Sequence, residues 1–322
     1  MRTIIYCITK TISTMATGSG IIRKVSGKVG DLVYTVRSGE QLIRGVPSKV
    51  RNPRTELQMA QRMKWPNVLA AYRALQPYMK DCFETKQGGQ TDYNRFMGIN
   101  LHAEPVYLEK SAARLGAAIV APYVISQGSL PSIQVNGATP TTDIALGQLT
   151  IDDDTTVAEF AQAVVQNNYA YSYGDQIAFF RLVQEEDSQD GHPYISVSAT
   201  RVNLDPTDTG TLRSVAPASG FSTVSGMLGA DAALTGAGIA WVHSRTVNGK
   251  THVSSQRLVV QNDLLEEYST AEMRTAATRS YGGTTEVFIR PDGTSGGVTT
   301  GGEGSGGSSG TPGGGEDEDL FG

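Results

Sequence analysis

Strand-like patterning occurs at three places along the chain, and helical spacing at four. In VSGKVGDLVYTVRSGEQLIRGVP, within residues 20–50, Leu32, Tyr34 and Val36 share one side of a strand. Ser38-Gly39 marks a turn, residues 41–46 return, and Pro47 ends the second strand, which predicts a β-hairpin. Gly27 and Gly30 punctuate the entry to it. GDQIAFFRLVQ at 174–184 and the stretch 193–204 read as paired strands joined by the polar loop EEDSQDG. IAWVHSRTV and KTHVSSQRLVV flank Asn248-Gly249. Asn-Gly supplies the two positive φ angles of a type I′ turn, so this is a second hairpin. Counting back from it pairs Arg245 with His252 and His243 with Ser254.

Helical spacing begins after RNPRTELQ. Asn52 suits an N-cap, Pro53 falls at the first helical position, and Thr55 with Gln58 offers a second capping register. Leu57, Trp65, Val68, Tyr72, Leu75 and Met79 follow at helical intervals. Pro66 and Pro77 each remove an N–H inside this pattern, which predicts two or three short or kinked helices. Thr91 or Asp92 caps a further helix to Leu101. Thr156-Val-Ala-Glu159 is a capping box opening another, and Asp263 caps one running to Ser280.

These elements predict an α+β chain in four parts. Residues 1–19 are a disordered extension, and Met15 is an alternative start to Met1. Residues 20–103 form a hairpin-plus-helix module. Residues 104–290 form a β-rich, sandwich- or barrel-like domain with two helices. Residues 291–322 hold 13 glycines and predict a disordered tail with an acidic tip.

Charge sharpens this division. The formal net charge is −5, but residues 1–114 carry 18 of the 27 Lys and Arg and 8 of the 32 Asp and Glu. A basic first third suits an anionic partner. On a single helix, Gln58, Arg62, Arg73, Gln76 and Lys80 fall on one stripe. Lys49, Arg51 and Arg54 sit at its N-terminal end, beside free helix N–H groups suited to phosphate. The predicted anion- or nucleic-acid-binding set is therefore Lys49, Arg51, Arg54, Arg62, Arg73 and Lys80.

Catalytic and cofactor signatures do not appear. The sequence has no P-loop, no G-x-G-x-x-G after a strand, no G-x-S-x-G and no H-E-x-x-H. His243 and His252 become diagonal neighbours in the hairpin, but a metal needs further ligands and none is evident. DSQDG departs from the calcium-loop spacing, and Asp152 to Asp154 read as charges before a capped helix. The expectation is a non-enzymatic protein with no cofactor and no metal. Two cysteines, Cys7 and Cys82, make no disulfide framework. With no apolar run near the roughly 20 residues of a membrane span, the expected setting is cytoplasmic, or a virion if the gene belongs to a phage.

N-P-x-T also occurs at the arm tip of HU-type DNA-bending proteins, but there a strand follows, and here LQMAQRMKW is helical. A broader pattern is G-K-x-G-x-x-V-Y, a turn, R-x-x-P, then N-P-R-T-x-x-Q-x-x-x-R. Gly27, Lys28, Gly30, Val33, Tyr34, Arg44, Pro47, Asn52, Pro53, Arg54, Thr55, Gln58 and Arg62 match it. It resembles the opening of an uncharacterised family, a domain of unknown function, from Bacteroidota bacteria and their mobile elements. That resemblance implies a β-rich domain after a short helical one, and no known activity. Similar stretches occur in small proteins of phage structural operons. The tail end EDEDLFG is similar to the tails of single-stranded DNA-binding proteins, which dock in basic-rimmed apolar pockets on partner enzymes. That resemblance makes Asp317, Glu318, Asp319, Leu320 and Phe321 a partner-docking motif, although Gly322 rather than Phe is last.

Two functional expectations follow. One is a nucleic-acid-associated protein that contacts DNA or RNA through the basic module and a protein partner through the tail. The other is a structural or assembly protein of a phage particle or mobile element. Homo-oligomers are compatible with both.

Overall fold

The computed structural model describes residues 16–17, 26–37, 40–46, 56–84, 90–102, 106–136, 139–230, 236–261, 263–281, 288–289 and 295–296. Strands β1 (Ala16–Thr17), β2 (Gly27–Val29), β3 (Leu32–Arg37) and β4 (Glu40–Gly45) come first. Helices α1 (Glu56–Leu75), α2 (Asp92–Asn100) and α3 (Lys110–Leu115) follow, with a 3-10 turn at Gln76–Tyr78. Next come β5 (Val124–Ser126), β6 (Val135–Asn136), β7 (Thr141–Ala145) and α4 (Val157–Asn167). Two long strands, β8 (Gln176–Glu186) and β9 (Pro193–Asn203), precede α5 (Leu212–Val215), β10 (Ser222–Val224) and β11 (Met227–Gly229). The last elements are β12 (Ala237–Val247), β13 (Lys250–Val253), β14 (Gln256–Arg257), β15 (Val259–Gln261), α6 (Asp263–Tyr268), α7 (Ala271–Ser280), β16 (Phe288–Ile289) and β17 (Ser295–Gly296). The fold is α+β, and its described sheets are open and antiparallel.

The central sheet runs β13-β12-β8-β9, with β15 on the same edge of β12 as β13. Period-two alternation splits its side chains between two cores. Ala178, Phe180, Leu182, Ala240 and Val242 meet Val68, Leu75, Phe96 and residues 117–125 on one side. Ile177, Phe179, Ile239 and Trp241 meet Phe160, Val164, Phe221 and Ile144 on the other. A second sheet, β10-β11-β7-β6, supplies part of this far layer. The first core joins residues on both sides of position 103.

Both expected hairpins form. β3 pairs β4 from Leu32↔Gly45 to Arg37↔Glu40, and β2 adds a strand that the glycine punctuation had not predicted. At the second turn Asn248 and Gly249 take φ of 52° and 74°, and Arg245 pairs His252 as counted. β8 pairs β9 over its full length, Gln176↔Asn203 to Glu186↔Pro193. Thr156 and Glu159 close their capping box, and Thr91 caps α2 by accepting from Asn94 N–H.

Three expectations change. Pro66 does not break α1, which is continuous over 20 residues. Burial of Met59, Met63, Val68, Ala71 and Leu75 along that helix offsets the bond Pro66 cannot make. Asp263 does not cap one long helix, because Thr270 accepts from Met273 N–H and starts α7 afresh after α6. Residues 104–290 hold α3 and α5 as well as the expected helices. The Asn52-Pro53 start, Thr55, Lys49, Arg51, Arg54 and the tail tip Asp317 to Phe321 lie outside the described residues.

Residues 117–125, AAIVAPYVI, are buried apart from the half-buried Pro122 and Val124, and only their last two join a strand. Distant side-chain amides satisfy this backbone. Ile119 N–H donates to Asn67 Oδ1 at 2.7 Å, Val120 N–H to Gln184 Oε1 at 2.8 Å, and Val124 N–H to Asn100 Oδ1 at 2.7 Å. Leaving such buried backbone groups unpaired would cost on the order of 1–3 kcal/mol each.

Candidate functional site: a polar cleft on the central sheet

α1 keeps Gln58, Arg62 and Arg73 on one face: eleven residues separate the two arginines, close to three helical turns. Arg73 is exposed and Arg62 half-buried. The stripe ends there. The 3-10 turn redirects the chain, and Lys80 leaves the stripe for the edge of a cleft of about 270 Å³.

The cleft lies on the helix-side face of the central sheet, at the N-terminal end of β8. Lys80, Asp81 and Cys82 form one wall. Gln176 of β8, Arg201 and Asn203 of β9, Ser244 and Thr246 of β12, and Thr251 of β13 are polar lining residues. Arg201 Nη2 donates to the Tyr78 carbonyl at 2.9 Å, which fixes the turn against the sheet. Gln176 Nε2 donates to Asn203 Oδ1 at 2.7 Å. The other amide atoms, Gln176 Oε1 and Asn203 Nδ2, have no partner among the described residues. The cleft thus offers two cations, three hydroxyls and an amide donor–acceptor pair, with Asp81 opposing them.

Two ionic networks support it from behind and beside. Asp175 lies between the cleft residues Gly174 and Gln176, on the opposite face of β8, with its side chain only 3% exposed. Arg245 donates to it twice, at 2.7 and 2.6 Å, and His243 Nε2 lies 2.8 Å away. Tyr171 packs on the His243 ring at 4.4 Å. Burial pushes the Asp175 carboxyl up, but Arg245, His243 and the Ser172 N–H outweigh it and hold it at about 2. Burial likewise pushes the Tyr171 hydroxyl up.

Beside the cleft, Glu84 accepts from Ser129 N–H at 2.7 Å and Ser129 Oγ at 2.9 Å, and His252 Nδ1 lies 2.6 Å away. Burial raises the Glu84 carboxyl, yet these bonds together bring it below its ordinary value. The two hairpin histidines are therefore separated, each on its own carboxylate. Ser129, His252 and Glu84 share a single imidazole nitrogen, Nδ1. A relay would use both ring nitrogens, so no nucleophile–base–acid order is set up.

In the β8–β9 loop, ligand atoms of Asp187, Asp190 and His192 lie within 4.8 Å of one another, the one such group among the described residues. His192 already contacts Asp190. No described helix is long and apolar enough to cross a membrane.

Of the six expected basic residues, the structure places Arg62 and Arg73 on α1 and Lys80 in the cleft. Arg201 was not anticipated. Its strand position is legible, but its meeting with Lys80 depends on which sheet end receives the helical module.

Residues 24–165 match a family of unknown function, DUF6266. The match runs from β2 through most of α4, leaves β1 outside, and stops before the central sheet. No curated protein and no solved structure matches the chain.

Proposed function

We propose that this protein associates with nucleic acid through the sugar–phosphate backbone and is not an enzyme. The observation that carries this reading is that Lys80 and Arg201 line one polar cleft, while Arg73 is exposed on α1. Cations and hydroxyls suit phosphate and sugar oxygens, whereas base readout needs a groove-reading element or stacking aromatics. The one aromatic lining residue, Phe180, is fully buried. Binding is therefore indifferent to sequence and depends steeply on salt. Lys49, Arg51 and Arg54, which lie outside the described residues, would add further cations shortly before α1 in the sequence. The acidic tip Asp317 to Phe321 docks a protein partner or competes for these cations.

The test is fluorescence anisotropy with labelled single- and double-stranded DNA and RNA at low salt, on the full chain. Binding that weakens with salt supports the proposal, and no binding to any of the four removes it. A structural role in a phage particle or mobile element of Bacteroidota would draw on a different feature, the exposed Val29, Leu32 and Val36 of the N-terminal sheet. A cytoplasmic or virion setting accompanies the two readings respectively.

A further inference from the structure

Asp81 takes a backbone conformation that side chains resist: its φ is 60°, in the left-handed region. It is the third residue of the turn Met79–Cys82, closed by Cys82 N–H donating to the Met79 carbonyl at 3.3 Å. Glycine fills such a place without strain. Ser225 and Asn248 are the other non-glycine residues with positive φ among those described, and both sit in two-residue hairpin turns that call for it. Asp81 belongs to no hairpin. Among the described residues its carboxylate makes no hydrogen bond and no ion pair, so no local bond accounts for an aspartate here. It lines the same cleft as Lys80 and Arg201 without pairing with either. Backbone strain kept at a ligand-facing position points to a task for the side chain.

The sign of that charge is informative. Lys80 and Arg201 favour phosphate, and a carboxylate beside them repels it. Asp81 aids binding only where the ligand brings it a hydrogen-bond donor. Within a DNA strand the backbone has none, because phosphate and deoxyribose oxygens only accept. Within an RNA strand each nucleotide brings one, the 2′-hydroxyl. We infer that Asp81 accepts the 2′-hydroxyl of a ribose whose phosphate lies on Lys80 and Arg201, so that the cleft prefers RNA to DNA. This assignment rests on the cleft binding sugar–phosphate and names the sugar. Gln176 Oε1 and Asn203 Nδ2 add an acceptor and a donor suited to further sugar oxygens. The cleft, at about 270 Å³, lies just below the roughly 300–1,000 Å³ of sites for drug-sized ligands, which limits it to a single nucleotide unit.

Fluorescence anisotropy of the full chain with three labelled oligoadenylates tests this: ribose, deoxyribose and 2′-O-methyl. The last keeps the ribose shape and removes only the donor. The native chain should bind the ribose strand about tenfold tighter than either of the others, the effect of one hydrogen bond to a charged group. Asp81→Gly, which suits the backbone, should bind all three alike and gain affinity for the deoxyribose strand. Asp81→Asn tolerates the same φ and should reduce the preference as well. Displacement of the ribose strand by adenosine 5′-monophosphate, and not by its 2′-deoxy form, also supports the assignment, with the free nucleotide as ligand. Equal binding of the ribose and deoxyribose strands by the native chain overturns the assignment and leaves phosphate binding standing. So does a preference that persists in Asp81→Gly, or a 2′-O-methyl strand bound as tightly as the ribose one. No binding to any strand removes the sugar–phosphate reading and this assignment with it.

Discussion

One guanidinium nitrogen of Arg201, on β9, donates to the carbonyl of Tyr78 at 2.9 Å. Through that bond the sheet fixes the turn that carries Lys80. Arg201→Met keeps the aliphatic stem and removes the donor. It should cost about 1 kcal/mol in urea unfolding. Hydrogen exchange should quicken at Lys80 to Cys82 while β8 stays protected.

Asp175 is the keystone behind the cleft. Asp175→Asn leaves His243 buried and Arg245 half-buried without their anion, which should cost about 3–5 kcal/mol. Chemical denaturation measures it. A change below 1 kcal/mol would mean that the network contributes little.

Stability should also fall in acid with a defined sign. Asp175 and Glu84 both sit below their ordinary values when folded. Such a carboxylate stabilises fully above its unfolded pKa and loses that contribution as pH drops through the folded one. For Asp175 the window runs from about 4 down to about 2, and roughly 2 kcal/mol is at stake. Melting temperature against pH should decline across that window in the native protein and less in Asp175→Asn.

Gly220 permits a close approach. Its carbonyl accepts from Trp241 Nε1–H at 2.7 Å, and a methyl there would meet the Phe179 ring at 2.2 Å. Gly220→Ala should destabilise by about 2–3 kcal/mol and change near-ultraviolet circular dichroism from Trp241.

What the sequence made legible was local. The Asn248-Gly249 turn, the Thr156–Glu159 box and the Thr91 cap depend on neighbours within a few residues, so their chemistry is written in place. Pro66 misleads because the burial that sustains α1 through it comes from elsewhere in the fold. Residues 117–125 show no period because amides at Asn67, Asn100 and Gln184 satisfy their backbone. Lys80 was legible as a cation near a helix end, but its partnership with Arg201 spans 121 positions and exists only after the helical layer meets the sheet.

The most direct test of nucleic-acid association is the salt dependence of anisotropy with a single-stranded oligonucleotide. It compares the native chain with a Arg73→Ala, Lys80→Ala double variant, both folded by circular dichroism. Removing two phosphate contacts should weaken binding and reduce the magnitude of the log–log salt slope by roughly 1.4. Equal affinity and equal slope in the two proteins would contradict it.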